Sequence, residues 1–172
     1  MDASGEIWRV LREEFSDLTD VGQAVRITVR LVLAASLGGL LGFEREYRGK
    51  SAGMRTHMLV ALGAALFVLT PQQAGVSNAE LTRVLQGLIA GIGFLGAGTI
   101  IKRSGEDDVK GLTTAAGIWL TAAIGVAAGL GRETTAALST VLALVILATL
   151  PHVARPFQRR AQEPDPGDRA RS

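Results

Sequence analysis

Val84-Leu85-Gln86-Gly87-Leu88-Ile89-Ala90-Gly91-Ile92-Gly93-Phe94-Leu95-Gly96-Ala97-Gly98-Thr99-Ile100-Ile101 decides how this chain is read. It holds five glycines and no charge, and its length is close to the ~20 apolar residues that cross a hydrocarbon core. Gly91 to Gly96 also spell a literal GxGxxG. A dinucleotide loop needs a strand before the glycines, a helix opening at them and an acid about 20 residues on. Here Val84 to Ile89 run into the glycines without a turn or cap, and Glu106, Asp107 and Asp108 come too early, beside Lys102 and Arg103. Gly87 and Gly91 form a GxxxG pair, which lets membrane helices approach backbone to backbone. The packing reading prevails.

The rest of the chain agrees. Among 172 residues, 48% are hydrophobic but only 5% are aromatic, and 21 are glycine. That is the composition of closely packed membrane helices. There is no cysteine, which excludes disulfides, thiolate metal sites and cysteine nucleophiles. A net charge of +2 with no aromatic-studded basic face argues against nucleic acid as a partner.

Five stretches have the apolarity of spans: 26–43, 56–71, 84–101, 112–130 and 134–150. The second is short and the third glycine-rich, so a tilted, broken or re-entrant segment is compatible with either. Gly131-Arg132-Glu133 turns the last two into a hairpin. Residues 1–20 lack an apolar h-region, so no signal peptide is expected.

Charge sets the orientation. Arg45, Arg48, Lys50, Arg55, Lys102, Arg103, Lys110, Arg155, Arg159, Arg160, Arg169 and Arg171 fall on one side; Arg9, Arg12, Arg26, Arg30, Arg83 and Arg132 fall on the other. The positive-inside rule then places the N-terminus outside and the C-terminus in the cytoplasm. Arg26 and Arg30, near the outer end of the first span, are expected to snorkel to the interface. The expected fold is an all-α polytopic membrane bundle of about five transmembrane helices. Residues 1–24 form a polar segment, 25–150 the membrane domain and 151–172 a disordered basic cytoplasmic tail. In the first segment Ile7, Trp8, Leu11, Phe15 and Leu18 recur at helical spacing, as in an interfacial amphipathic helix anchored by Trp8. A flexible leader is the alternative.

Polar residues concentrate between the first two spans, in Gly42 to His57. Glu44 and Arg55 stand at facing helix ends, where they can pair; Arg45 and His57 lie beside them. These groups either cap and orient the hairpin or form an ion or partner site. His57 alone, with no second ligand at metal spacing, is a weak metal signal. Glu106, Asp107 and Asp108 suit Mg²⁺ by donor type, but acids beside Lys102, Arg103 and Lys110 read equally as a solvated turn. No metal or cofactor is therefore expected.

Thr113, Gly117, Thr121, Gly125 and Gly129 recur every fourth residue, giving the fourth span one face of small residues. That face is expected to pack on the glycines of the third span, Gly87, Gly91, Gly93, Gly96 and Gly98. Gly38 and Gly42 offer a third small-residue pair. No Asp, Glu, Lys, Arg or His lies in the middle of a span, where coupled transporters keep their relays. No Ser/His/Asp set or carboxylate pair falls in a pocket, so an enzyme is not expected.

Four blocks taken in order carry a resemblance: Gly42-Phe43-Glu44-Arg45-Glu46; Ala52-Gly53-Met54-Arg55-Thr56-His57; Gly91-Ile92-Gly93-Phe94-Leu95-Gly96-Ala97-Gly98; and Lys110-Gly111-Leu112-Thr113-Thr114-Ala115-Ala116. Over residues 30–150 the chain resembles the MgtC/SapB family. The resemblance implies a bacterial inner-membrane protein of about five helices, linked to adaptation to low magnesium and to survival inside phagocytes. It also implies action through other membrane proteins, the F-type ATP synthase or a transporter among them, rather than magnesium movement. Some virulence-associated members have Asn at the position of Thr113 and Cys at that of Leu120, and many carry a soluble C-terminal domain; this chain is expected to be the membrane domain alone.

The leading expectation is a non-enzymatic regulator that contacts partner membrane proteins and lipid through small-residue helix faces, with a homo-oligomer compatible. The alternative is a small-ion or solute transporter, for example of Mg²⁺, with Glu44 at its inner mouth.

Overall fold

A computed structural model describes residues 3–14, 20–102 and 109–161, with side chains described at 3–14, 20–100 and 110–149. The elements are α1 (Ala3–Glu14), α2 (Val21–Tyr47), α3 (Met54–Gln73), α4 (Asn78–Thr99), β1 (Ile101–Lys102), β2 (Val109–Lys110), α5 (Leu112–Gly129) and α6 (Glu133–Ala161). The two strands form one antiparallel ladder, Ile101 opposite Lys110. The rest is a helical bundle. Four helices, α2 to α5, are long and apolar enough to cross a membrane; the apolar part of α6, Glu133–Thr149, is shorter.

Helix starts explain where the expected bounds move. The first span begins at Val21 rather than Arg26 because the Asp20 carboxylate accepts from the Gly22 N–H at 3.0 Å, an N-cap. The third begins at Asn78 rather than Val84. Ser77 and Glu80 close a capping box there, the Ser77 hydroxyl accepting from the Glu80 N–H and the Glu80 carboxylate from the Ser77 N–H. From this start α4 runs unbroken to Thr99, and α3 runs unbroken through Pro71, so neither is broken. Helix α6 continues to Ala161, past the boundary expected at 150, and the rest of the expected tail lies outside the described residues. Helix α1 forms where the apolar spacing places it, with Ile7, Trp8 and Leu11 exposed. Phe15, Leu18 and the acidic run Glu106 to Asp108 lie outside the described residues.

Helix α3 is the hub. It packs chiefly against α2 and α5, while α4 rests at the periphery mainly on α5. The core joins Ala34, Leu37 and Leu41 of α2, Ala61 and Ala65 of α3, Ile124 and Ala128 of α5, and Ala136 and Ala143 of α6. A smaller cluster, with Ala64, Ile92, Ile118 and Ala122, fastens α4. Small side chains dominate because the backbones nearly touch. A Cβ at Gly38 would fall 2.5 Å from the His57 carbonyl oxygen, one at Gly42 2.5 Å from the Met54 Cα, and one at Gly125 2.2 Å from the Ala61 carbonyl oxygen.

One expectation is corrected here. The small-residue face of α5 does not pack on the glycines of α4. Gly125 and Gly129 press on Ala61 and Ala65 of α3, and only Gly96 of α4 approaches α5, at Ala115. Gly87, Gly91, Gly93 and Gly98 have nothing within 4 Å of the space a Cβ would take. The reason is the alanine content of α3: Ala61, Ala64 and Ala65 form a smooth surface that matches the α5 glycines.

Two turns depend on glycine. Gly111 starts α5 at φ +97°, with the Thr99 carbonyl oxygen 2.0 Å from where a Cβ would stand, so no side chain fits. Gly131, at φ +73°, ends α5 in the left-handed form common to helix C-termini.

Candidate functional site

The polar cluster gathers at the end of the bundle where α2 finishes and α3 begins. Helix geometry places Glu44 and Arg48 four residues apart on one face of α2, the favourable spacing for an ion pair. The Glu44 carboxylate pairs with Arg48 and with its neighbour Arg45. Arg45 is only 3% exposed, so its charge is taken out of water and held by one partner carboxylate. Arg48 also reaches the Ala148 carbonyl of α6 at 3.4 Å, tying a third helix to the cluster. Arg55, the expected partner of Glu44, is exposed and takes no part.

Glu46 was not singled out in the sequence. Its carboxylate accepts from the Met54 N–H at 2.9 Å and so caps α3 from the preceding helix. A carboxylate there also opposes the positive end of the helix dipole. The cue available was an acid near an uncapped start, since Gly53 at the N-cap has no side chain to serve.

His57 sits one turn into α3 and is fully buried. Its Nδ1 lies 2.9 Å from the Gly53 carbonyl oxygen. That oxygen can only accept, so Nδ1 carries the proton and, in the neutral ring, Nε2 presents a lone pair. Among the described groups, Nε2 has no hydrogen-bond partner. It lies against Gly117 of α5, where a Cβ would stand 3.6 Å away, and His57 is among the residues around a cavity that Thr113 also lines. Thr113 is exposed; Thr114 is buried; Lys110 is exposed on β2 just before the Gly111 turn. Of the residues named in the sequence, the structure therefore brings together Glu44 with Arg45, and His57 with Thr113 and Gly117. It leaves Arg55 and Lys110 outside. Gly125 is a packing residue; Gly87, Gly91 and Gly98 share one open side of α4, and Gly93, also uncovered, lies on the other.

At the opposite end, Arg30 has a structural duty. It donates to the Gly129 carbonyl oxygen at 3.2 Å and lies 3.8 Å from the Glu133 carboxylate, so it caps the negative end of α5 and braces the α5–α6 turn. Snorkelling is not needed to account for it. Among the described residues, no three His, Cys, Asp or Glu side chains gather to hold a metal ion. The chemistry open to these groups is hydrogen bonding, charge pairing and close helix contact.

Comparison with known proteins places this arrangement. The chain is 44% identical over 138 residues to protein SrpB of Synechococcus elongatus, covering 74% of this chain and 76% of SrpB. It is 46% identical over 114 residues to protein MgtC of Brucella abortus, covering 66% of this chain and 47% of that protein. It is 40% identical over 126 residues to the Escherichia coli K12 protein named "Putative magnesium transporter YhiD", covering 69% and 58%. The chain thus spans about half the length of the MgtC relative. No solved structure matches. The MgtC family model matches residues 31–156, from the first membrane helix into the last; the chain is a membrane protein of the MgtC family.

Proposed function

We propose that this protein is a non-enzymatic regulator in the bacterial inner membrane, acting through helix–helix contacts with partner membrane proteins during adaptation to low magnesium. The observation that carries this reading is the unused face of α4. The bundle uses Gly38 and Gly42 of α2 and Gly125 and Gly129 of α5 in its own packing, yet Gly87 and Gly91 stay uncovered beside Phe67, Leu88 and Leu95 along an apolar groove. Phe94 is 82% exposed on the same helix. Lipid covers apolar side chains as well as protein does, but it gains nothing from glycine. A helix whose backbone can come close does gain, through dispersion contacts along the groove. The magnesium association draws on the name of the Escherichia coli relative.

A photocrosslinking residue at Gly91, in cells grown at limiting magnesium, tests this reading. The expected result is a discrete crosslinked species of higher mass, lost when the probe is moved to the buried position Ala65. Only lipid adducts at Gly91 would overturn the reading. The transport alternative has its own test. Reconstituted protein is expected to give no Mg²⁺ flux above empty vesicles, and a flux abolished by Glu44→Gln would reverse the ranking.

A further inference from the structure

Between the ends of α3 and α4 lies a groove of about 260 Å³. Helix α3 begins and α4 ends there, so Thr56 and Thr99 flank its outer part, and Val60 and Leu95 stand about one turn further in. Ala52 and Ile118 are buried and form its floor. Ser51, Thr56, Leu95 and Gly98 are exposed, so the groove opens along the outside of the bundle. Its polarity is graded: hydroxyls of Ser51, Thr56 and Thr99 near the helix ends, then Val60, Leu95 and Ile118. The Thr99 hydroxyl already donates to the Gly96 carbonyl at 2.8 Å. Those of Ser51 and Thr56 have no partner among the described residues. Lys50 and Arg55, next to them in sequence, are exposed, and no described carboxylate pairs with either.

We propose that this groove holds an anionic phospholipid, its phosphate at Ser51 and Thr56 beside Lys50 and Arg55, and the start of one acyl chain against Val60 and Leu95. Charge and depth together select that class. Two exposed cations and two unused hydroxyl donors suit phosphate oxygens. Each basic residue at a membrane surface favours anionic lipid by about fivefold in affinity. A zwitterionic lipid carries its own cation beside the phosphate and gains less. A soluble anion leaves the apolar inner half of the groove in contact with water. Gly98 makes the room, since nothing lies within 4 Å of the place its Cβ would take. The site does not rest on the docking of a partner helix, which concerns Gly87 and Gly91 further back along α4.

The test maps lipid contacts directly. The full chain is reconstituted in phosphatidylcholine vesicles with a trace of photoactivatable phosphatidylglycerol or phosphatidylcholine, the diazirine near the carboxyl end of one acyl chain. Adducts are located by peptide mass spectrometry. The expected result is saturable phosphatidylglycerol labelling concentrated in residues 56–60 and 95–99, competed by unlabelled phosphatidylglycerol and absent with the phosphatidylcholine probe. Arg55→Gln is expected to weaken the competition about fivefold. Thr56→Val is expected to weaken it about tenfold, the loss of one hydrogen bond to a charged group. Gly98→Leu, at an exposed position, fills the groove and is expected to abolish the labelling. Arg83→Gln removes an exposed cation near the opposite end of α4 and is expected to change nothing. Equal labelling by both probes, labelling only elsewhere on the chain, a preference unchanged in Arg55→Gln or in Gly98→Leu, or an equal loss in Arg83→Gln overturns the proposal. Displacement by inorganic phosphate at the concentration of the competing lipid would make the groove a plain anion site, and overturns it as well.

Discussion

Arg45 is the costliest side chain in the described bundle to hold in place. A guanidinium with 3% exposure has lost nearly all its hydration, and Glu44 is the carboxylate that compensates it. Removing one member of a buried pair leaves the other charge desolvated and unopposed, at about 3 kcal/mol or more. Glu44→Gln is therefore expected to lower the midpoint of thermal unfolding in detergent well below that of Arg55→Gln, which removes an exposed group. Equal midpoints would mean that Glu44 is not the compensating charge. The pairing was half legible. Glu44 and Arg48 stand at i, i+4, so a bridge along α2 follows from spacing. Arg55 looked equally near because it opens the next helix. Successive helical residues turn by about 100°, so Arg55 and His57 point to opposite sides of α3. Once His57 is buried against Gly117, Arg55 must face out, and that burial is a tertiary fact.

Among elements, the two glycine-rich helices have separated roles. In α5 the glycines are occupied: a methyl at Gly125 would fall 2.2 Å from the Ala61 carbonyl oxygen, so Gly125→Ala must push α3 and α5 apart. Overpacking of this kind costs about 1–3 kcal/mol. In α4 the glycines other than Gly96 are free of neighbours. Gly91→Ala meets nothing within 4 Å and should gain up to about 1 kcal/mol of helix propensity. Denaturation of the two variants in mixed micelles is expected to move in opposite directions, and a loss at Gly91 as large as that at Gly125 would show that α4 is packed after all. If the α4 face holds a partner, Gly91→Ala should also reduce crosslinking while leaving stability intact. Spacing revealed that both helices had small faces, but not which face met which. The deciding feature was the Ala61, Ala64 and Ala65 surface of α3, which carries no glycine motif and so no signal. The start of α4 was legible and passed over: Ser77-Asn78-Ala79-Glu80 is a capping box in plain sequence.

For the whole molecule, the bundle has two chemically distinct ends. At one, Glu44, Arg45 and Arg48 tie α2 to α6 through Ala148, Glu46 caps α3, and His57 is buried against Gly117 of α5. At the other, Arg30 binds the last carbonyl of α5 and the first acid of α6. The ion pairs and caps of both sets close within the chain, so they fix the bundle without fixing its direction in the membrane. Direction rests on the exposed charges. Lys50 and Arg55 lie exposed at the first end and Lys110 is exposed at the start of α5, and positive charge is retained on the cytoplasmic side. A chain without cysteine allows a clean test. Ser51→Cys sits between α2 and α3, Gln73→Cys at the far end of α3, and Arg132→Cys in the α5–α6 turn, all exposed. With an impermeant maleimide on intact spheroplasts, Gln73→Cys and Arg132→Cys are expected to react at once, and Ser51→Cys only after the membrane is opened. The reverse pattern would put the Glu44 cluster on the outer face. The exposed Lys50, Arg55 and Lys110 would then have to be explained by something other than charge retention.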